Sequence, residues 1–147
     1  MNILFVYAHN EPKSFCHAML NHAVDLLNRS GHQVQVSDLY AMNFNPVASA
    51  GDFSHRQNPD YLVYALEQRH NDSNHGLAPD IVAEVEKMFW ADLIIFHFPL
   101  YWFSVPAIMK GWFDRVLLSG RCYGGRYFYN HGKMAGKRAT LTITAGS

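Results

Sequence analysis

Four residues, Lys13, Ser14, Phe15 and Cys16, close the stretch "HNEPKSFC" (9–16), which links an apolar run to a segment of helical spacing. A serine at this place reads as an N-cap. The N–H groups behind it, at Phe15 and Cys16, are unpaired donors under a positive partial charge, which suits phosphate. An ordinary cap beside a solvated lysine accounts for the same residues. No Gly-rich fingerprint is present, so neither a Rossmann dinucleotide site nor a P-loop is supported. A second stretch, "PLYWFS" (99–104), is aromatic where loops are usually polar. Pro99 stiffens it, and Trp102 and Phe103 are flat and low in side-chain entropy. They belong either in the core or against a planar ring system. A third stretch, Thr144-Ala145-Gly146-Ser147, offers hydroxyls and small residues for close backbone approach.

These stretches need elements to position them. Residues 3–8, "ILFVYA", form a continuous apolar run suited to a strand buried on both faces. Helical spacing follows Ser14 and stops at Ser30-Gly31, and "QVQVSDL" (33–39) alternates as a second strand. Together they make a βαβ unit with a right-handed crossover. Residues 41–78 are irregular and polar, either a functional excursion or partly disordered, with a short helix around 60–69. Pro79 opens a helix ending near Trp90, and 92–98 is a third strand. Residues 105–118 form an amphipathic helix starting at Pro106, 121–137 a Gly- and Tyr-rich loop, and 138–144 a fourth strand. Alternating strands and helices predict an α/β fold in one domain, 1–147, with a parallel sheet covered on both faces. The loops 9–14, 99–104 and 144–147 all leave carboxyl ends of strands, where such sheets bind ligands.

Composition narrows the function. The 147 residues carry 12 basic and 12 acidic side chains, a balance that argues against nucleic acid as partner. Aromatic residues reach 14%, which raises the case for a stacking site. No apolar run approaches the roughly 18–20 residues that span a bilayer. The start lacks a signal-peptide pattern, and Cys16 and Cys122 make no disulfide framework, so a reduced, cytoplasmic protein is expected. Nine histidines invite a metal, yet no HExxH or CxxC spacing occurs, and none is expected. His70 and His75 read as solvated, His97 as a satisfied core histidine, and Asp114–Arg115 as a helix-surface pair. No pairing that would activate Cys122 is evident.

With these residues in view, "FVYAHNEPKSFCHAM" (5–19), "SDLYAMNFNP" (37–46), "APDIVAE" (78–84) and "FPLYWFSVPAIMKGWFDRV" (98–116) closely resemble the NAD(P)H:quinone oxidoreductases, the DT-diaphorase-like flavoproteins. The resemblance implies a flavodoxin-like, doubly wound parallel sheet with helices on both faces. It implies FAD bound non-covalently (FMN is the alternative), NAD(P)H as co-substrate, a quinone as acceptor, and a homodimer. The flavin phosphates would lie at His9, Ser14, Phe15 and Cys16. The isoalloxazine would rest on Pro99, Leu100, Tyr101, Trp102 and Phe103, with backbone N–H groups of 101–103 on N5 and O4. Thr144, Ala145, Gly146 and Ser147 would close the cofactor site. Trp102, Phe103 and Tyr123 would face the substrate in a slot completed across the dimer, and one slot used alternately implies ping-pong kinetics. Cys16 stands where the family has asparagine, Tyr101 where it has a glutamine-type residue, and Gly125 where it has a pocket aromatic. Family members continue beyond the third loop into a fifth strand and a final helix. The expectation is therefore a C-terminally incomplete domain with "RATLTIT" as an exposed edge. A regulatory subunit of a potassium-efflux system and an inactive fragment are the alternative functions.

Overall fold

A computed structural model describes residues 1–125 and 131–146 of the chain. Four strands, β1 (Asn2–Tyr7), β2 (Gln33–Asp38), β3 (Leu93–Pro99) and β4 (Arg138–Thr144), form one parallel sheet in the order β2-β1-β3-β4. From β1 the chain winds one way to β2 and the other way to β3 and β4. The order therefore reverses between β1 and β3, and the carboxyl ends of these two strands are where such sheets bind ligands.

Side chains alternate across the sheet and meet helices on both faces. Leu4, Val6, Ala8, Ile94 and Phe98 pack under α3 (Pro79–Trp90) and α4 (Ala107–Val116), which contribute Ile81, Val85, Met88, Met109, Trp112 and Val116. On the other face, Ile3, Phe5, Tyr7 and Ile95 meet Cys16 and Leu20 of α1 (Phe15–Arg29). The near-continuous apolar runs of β1 and β3 follow from this double burial. β4 lies at the sheet edge, with Leu141 and Ile143 exposed.

Local signals set the helix ends. Ser14 Oγ accepts the His17 N–H at 3.1 Å and caps α1, and Gly31 beyond its end takes φ +80°. Pro79 occupies the first turn of α3, and Pro106 immediately precedes α4. The short helix expected around 60–69 is α2 (Tyr64–Ser73), four residues later than its pattern suggested.

Residues 41–78 are pinned to the body by buried charges. Arg115 of α4 donates to Asp52 at 2.8 Å, to Asp80 at 2.6 Å and to the Asn45 carbonyl at 2.7 Å, with its guanidinium over the Phe44 ring. The expected surface pair Asp114–Arg115 is therefore corrected. Arg115 is buried and crosses to the excursion, while Asp114 accepts from Lys110 at 2.6 Å on the surface. Glu67 of α2 accepts the N–H groups of Gln57 and Asn58, and Gln68 reaches the Asp114 carbonyl and the Ser119 N–H. Gly111 permits the close seat on α4, since a Cβ there would lie 2.2 Å from the Pro46 carbonyl oxygen.

Candidate active site at the strand ends

The carboxyl ends of β1 and β3 lead into two of the three expected loops. Register brings the third alongside, because Pro99 pairs with Thr144 and the Leu100 N–H donates to the Thr144 carbonyl at 2.9 Å. Pro99 is thus the last residue of β3 rather than the first of the loop. The Cys16 thiol lies 3.4 Å from His97 Nε2, which ties the start of α1 to β3. Burial pushes that thiol up, against a smaller opposing effect from Thr144, so the buried Cys16 stays a protonated thiol.

The first loop braces itself. His9 Nδ1 accepts the Glu11 N–H at 2.9 Å, Glu11 Oε1 accepts the Lys13 N–H at 2.7 Å, and the Glu11 carbonyl accepts the Ser14 N–H at 3.1 Å. Among the described residues, the N–H groups of Phe15 and Cys16 have no acceptor. They stand at the positive end of α1, which follows the loop after β1.

The second loop is a two-residue hairpin. Tyr101 and Ser104 exchange both backbone bonds, at 3.0 and 2.9 Å, across Trp102 and Phe103. Both central residues lie in the left-handed region, with φ +48° and +59°. This is the geometry of a type I′ turn, which ordinarily takes Asn-Gly. Two bulky aromatic residues there store backbone strain, of order 1–3 kcal/mol each. Neither ring is in the core: Trp102 is 95% exposed and Phe103 93%. Of the two readings that composition left open, the structure removes the core. The pattern also corrects one donor, because the Tyr101 N–H is spent on Ser104; within 101–103, the Trp102 and Phe103 N–H groups have no acceptor among the described residues.

Tyr40, which the sequence did not single out, follows β2. Its phenol is pushed up by burial and then by the nearby Tyr101. Tyr123 stands in the turn after α4, half-exposed, its carbonyl accepting from the Gly120 N–H. Among the described residues no hydrogen bond or ring contact joins it to the three loops. Ala145 and Gly146 continue exposed from β4, and Ser147 lies outside the described residues. His97 departs from its expectation in part. Its Nε2 donates to the Cys16 carbonyl at 2.7 Å, but its buried Nδ1 has no partner. No group of metal-binding side chains occurs among the described residues, and no helix among them is long and apolar enough to cross a membrane.

Comparison with known proteins adds to this geometry. The flavodoxin-like fold family matches residues 1–147. The chain is 50% identical over 145 residues to the human ribosyldihydronicotinamide dehydrogenase [quinone], covering 98% of this chain and 63% of that protein. It is 46% identical over 144 residues to NAD(P)H dehydrogenase [quinone] 1 of Rattus norvegicus, covering 97% and 53%. A solved structure of a candidate quinone reductase from Klebsiella pneumoniae superposes with a TM-score of 0.93 at 44% identity, covering 99% of this chain and 60% of the other. The chain thus spans less than two thirds of the length of these relatives. The chain belongs to the flavodoxin-like fold family, and the quinone-reducing proteins named above are those it resembles.

Proposed function

We propose that this chain carries the flavin-binding part of an NAD(P)H:quinone oxidoreductase. The observation that carries the reading is the strained hairpin of Trp102 and Phe103. It presents two exposed rings and two unpaired N–H groups at a parallel-sheet switch point, beside the free N–H groups of α1. A flavin fits this donor set at both ends. Phe15 and Cys16 would hold its phosphates through backbone N–H groups, with Ser14 fixing the turn and His9 bracing the loop. Leu100 and Tyr101 would lie along the ring system, and the Trp102 and Phe103 N–H groups would meet its polar edge. Thr144 and the small residues Ala145 and Gly146, continued by Ser147, would line the side toward β4. When bound, the flavin supplies the two-electron chemistry between reduced nicotinamide and quinone.

The protein's own part is orientation and exclusion of water. Trp102 and Phe103 would form one wall of a slot for the nicotinamide or quinone ring. Their exposure leaves the opposite wall to be supplied, and a second copy of the chain, contributing Tyr123 near the slot, is the reading carried over from the family resemblance. FAD is favoured over FMN on the same ground.

The test is direct. Purified chain mixed with FAD or FMN is expected to quench flavin fluorescence at a stoichiometric end point and to oxidise NAD(P)H in the presence of menadione with parallel double-reciprocal lines. A chain that binds neither flavin overturns the proposal. Sedimentation with and without flavin checks the dimer.

A further inference from the structure

The first turn of α1 is held from below by two side chains that none of the expected site residues includes. Tyr7 ends β1 and His97 lies beside it on β3 as its register partner. Their rings stack, with centroids 5.6 Å apart and planes 20° from parallel. Each reaches the same helical turn. The Tyr7 hydroxyl lies 3.3 Å from His17 Nδ1, and burial pushes its phenol up to about 12, which keeps the proton on it. His97 Nε2 is 2.7 Å from the Cys16 carbonyl and 3.4 Å from its sulfur. A carbonyl only accepts, so Nε2 carries the ring proton.

The other nitrogen shows why this contact matters. Nδ1 is then a buried acceptor, and nothing among the described residues pairs with it. The ring also helps wall an apolar cavity of about 240 Å³ with Phe5, Leu20 and Ile95. A buried polar atom without a partner costs stability, and an apolar ring of similar shape would remove that cost. Stability alone does not favour histidine here. What histidine supplies and phenylalanine lacks is the donor aimed at Cys16. Helix first turns fray, and donors that must be ordered on binding lose affinity to that ordering. The Ser14 cap holds the turn from within; Tyr7 and His97 hold it from the sheet.

We propose that His97, seconded by Tyr7, is a positioning residue that presets the Phe15 and Cys16 N–H groups for a pyrophosphate. The inference rests on the flavin reading above only for the identity of the ligand, since inorganic pyrophosphate probes the same donors. The experiment titrates pyrophosphate against the amide resonances of Phe15 and Cys16, and separately FAD and riboflavin against flavin fluorescence, in wild type, His97→Phe and His97→Gln. His97→Phe is expected to weaken pyrophosphate and FAD about fivefold, the loss of one hydrogen bond, with riboflavin affinity and thermal midpoint unchanged. His97→Gln, which keeps a donor, is expected to restore both. Equal pyrophosphate affinity in wild type and His97→Phe overturns the inference, as does no pyrophosphate binding in wild type or an equal loss of FAD and riboflavin. Pyrophosphate binding that depends on His97, in a chain that takes no flavin, supports the positioning role and removes the flavin reading instead. A variant that unfolds is recognised by its thermal midpoint, and Tyr7→Phe then supplies the same comparison from β1, supporting the inference if pyrophosphate weakens and overturning it if not.

Discussion

The excursion of residues 41–78 and the hairpin of residues 101–104 reverse what their residue types suggest. The excursion is rich in polar and charged side chains, yet Asp52, Glu67, Gln68 and Asn71 are buried and paired. The hairpin consists of aromatic residues that usually fill cores, yet its rings stand in solvent on a strained turn. One region spends these buried side chains on partners within itself and on α4, and closes. The other keeps two rings and two N–H groups unspent among the described residues, as the proposed cofactor site requires. Residue type states what a side chain can do; hydrogen-bond bookkeeping states whether it is already doing it.

The largest effect should come from breaking the closed region. Arg115→Met leaves Asp52 and Asp80 facing each other without their cation, and urea unfolding is expected to show a loss of about 3–5 kcal/mol. A loss near zero would mean that the excursion is held by other contacts. Asp52→Asn is milder, at about 2 kcal/mol, because Tyr64 and Arg115 keep a neutral acceptor. It also tests the sign of a pH effect. Burial raises the Asp52 carboxyl, but hydrogen bonds from Arg115 and Tyr64 outweigh burial and hold it below its ordinary 3.8. A depressed carboxylate contributes stability that is fully present above that ordinary value and lost as pH falls through the folded-state value. Unfolding midpoints should therefore drop below about pH 4 in wild type with a slope that Asp52→Asn reduces.

The open region should answer in the opposite direction. Replacing Trp102 by Asn together with Phe103 by Gly gives the turn the residues it prefers, and stability is expected to rise by about 1 kcal/mol while riboflavin affinity falls. If stability and affinity move together, the strain is not stored for binding. The smallest effect belongs to Lys110→Ala. It removes an exposed i,i+4 partner of Asp114, one residue from Arg115, and should shift stability by less than about 0.5 kcal/mol. The contrast between Arg115 and Lys110 on one helix isolates burial as the cause.

The sheet was legible because double burial leaves an unbroken apolar signature in "ILFVYA" and "LIIFHF", and because Ser14, Pro79 and Pro106 mark helix starts by local chemistry. The aromatic loop was legible as an anomaly, and the family resemblance turned that anomaly into a cofactor platform. What escaped depends on partners distant in sequence. Arg115 meets Asp52 across 63 positions and His97 meets Cys16 across 81, and no periodicity encodes such meetings. Asp114 beside Arg115 looked like a pair only because they are neighbours in the chain. The Tyr101 donor was lost to a backbone bond within its own turn, which only the dihedral angles of the next two residues disclose.

Gly111 joins the two regions mechanically. The hairpin leads through Val105 and Pro106 directly into α4, and the same helix is gripped farther along by Pro46 at Gly111 and by the acidic side chains at Arg115. α4 is therefore a shaft with the hairpin mounted at one end and a clamp that runs from its middle at Gly111 to its last turn at Arg115. A single methyl at position 111 would wedge the clamp open and turn the shaft. The seat of the helix that carries the hairpin is thus fixed at its middle, by a side chain that is not there.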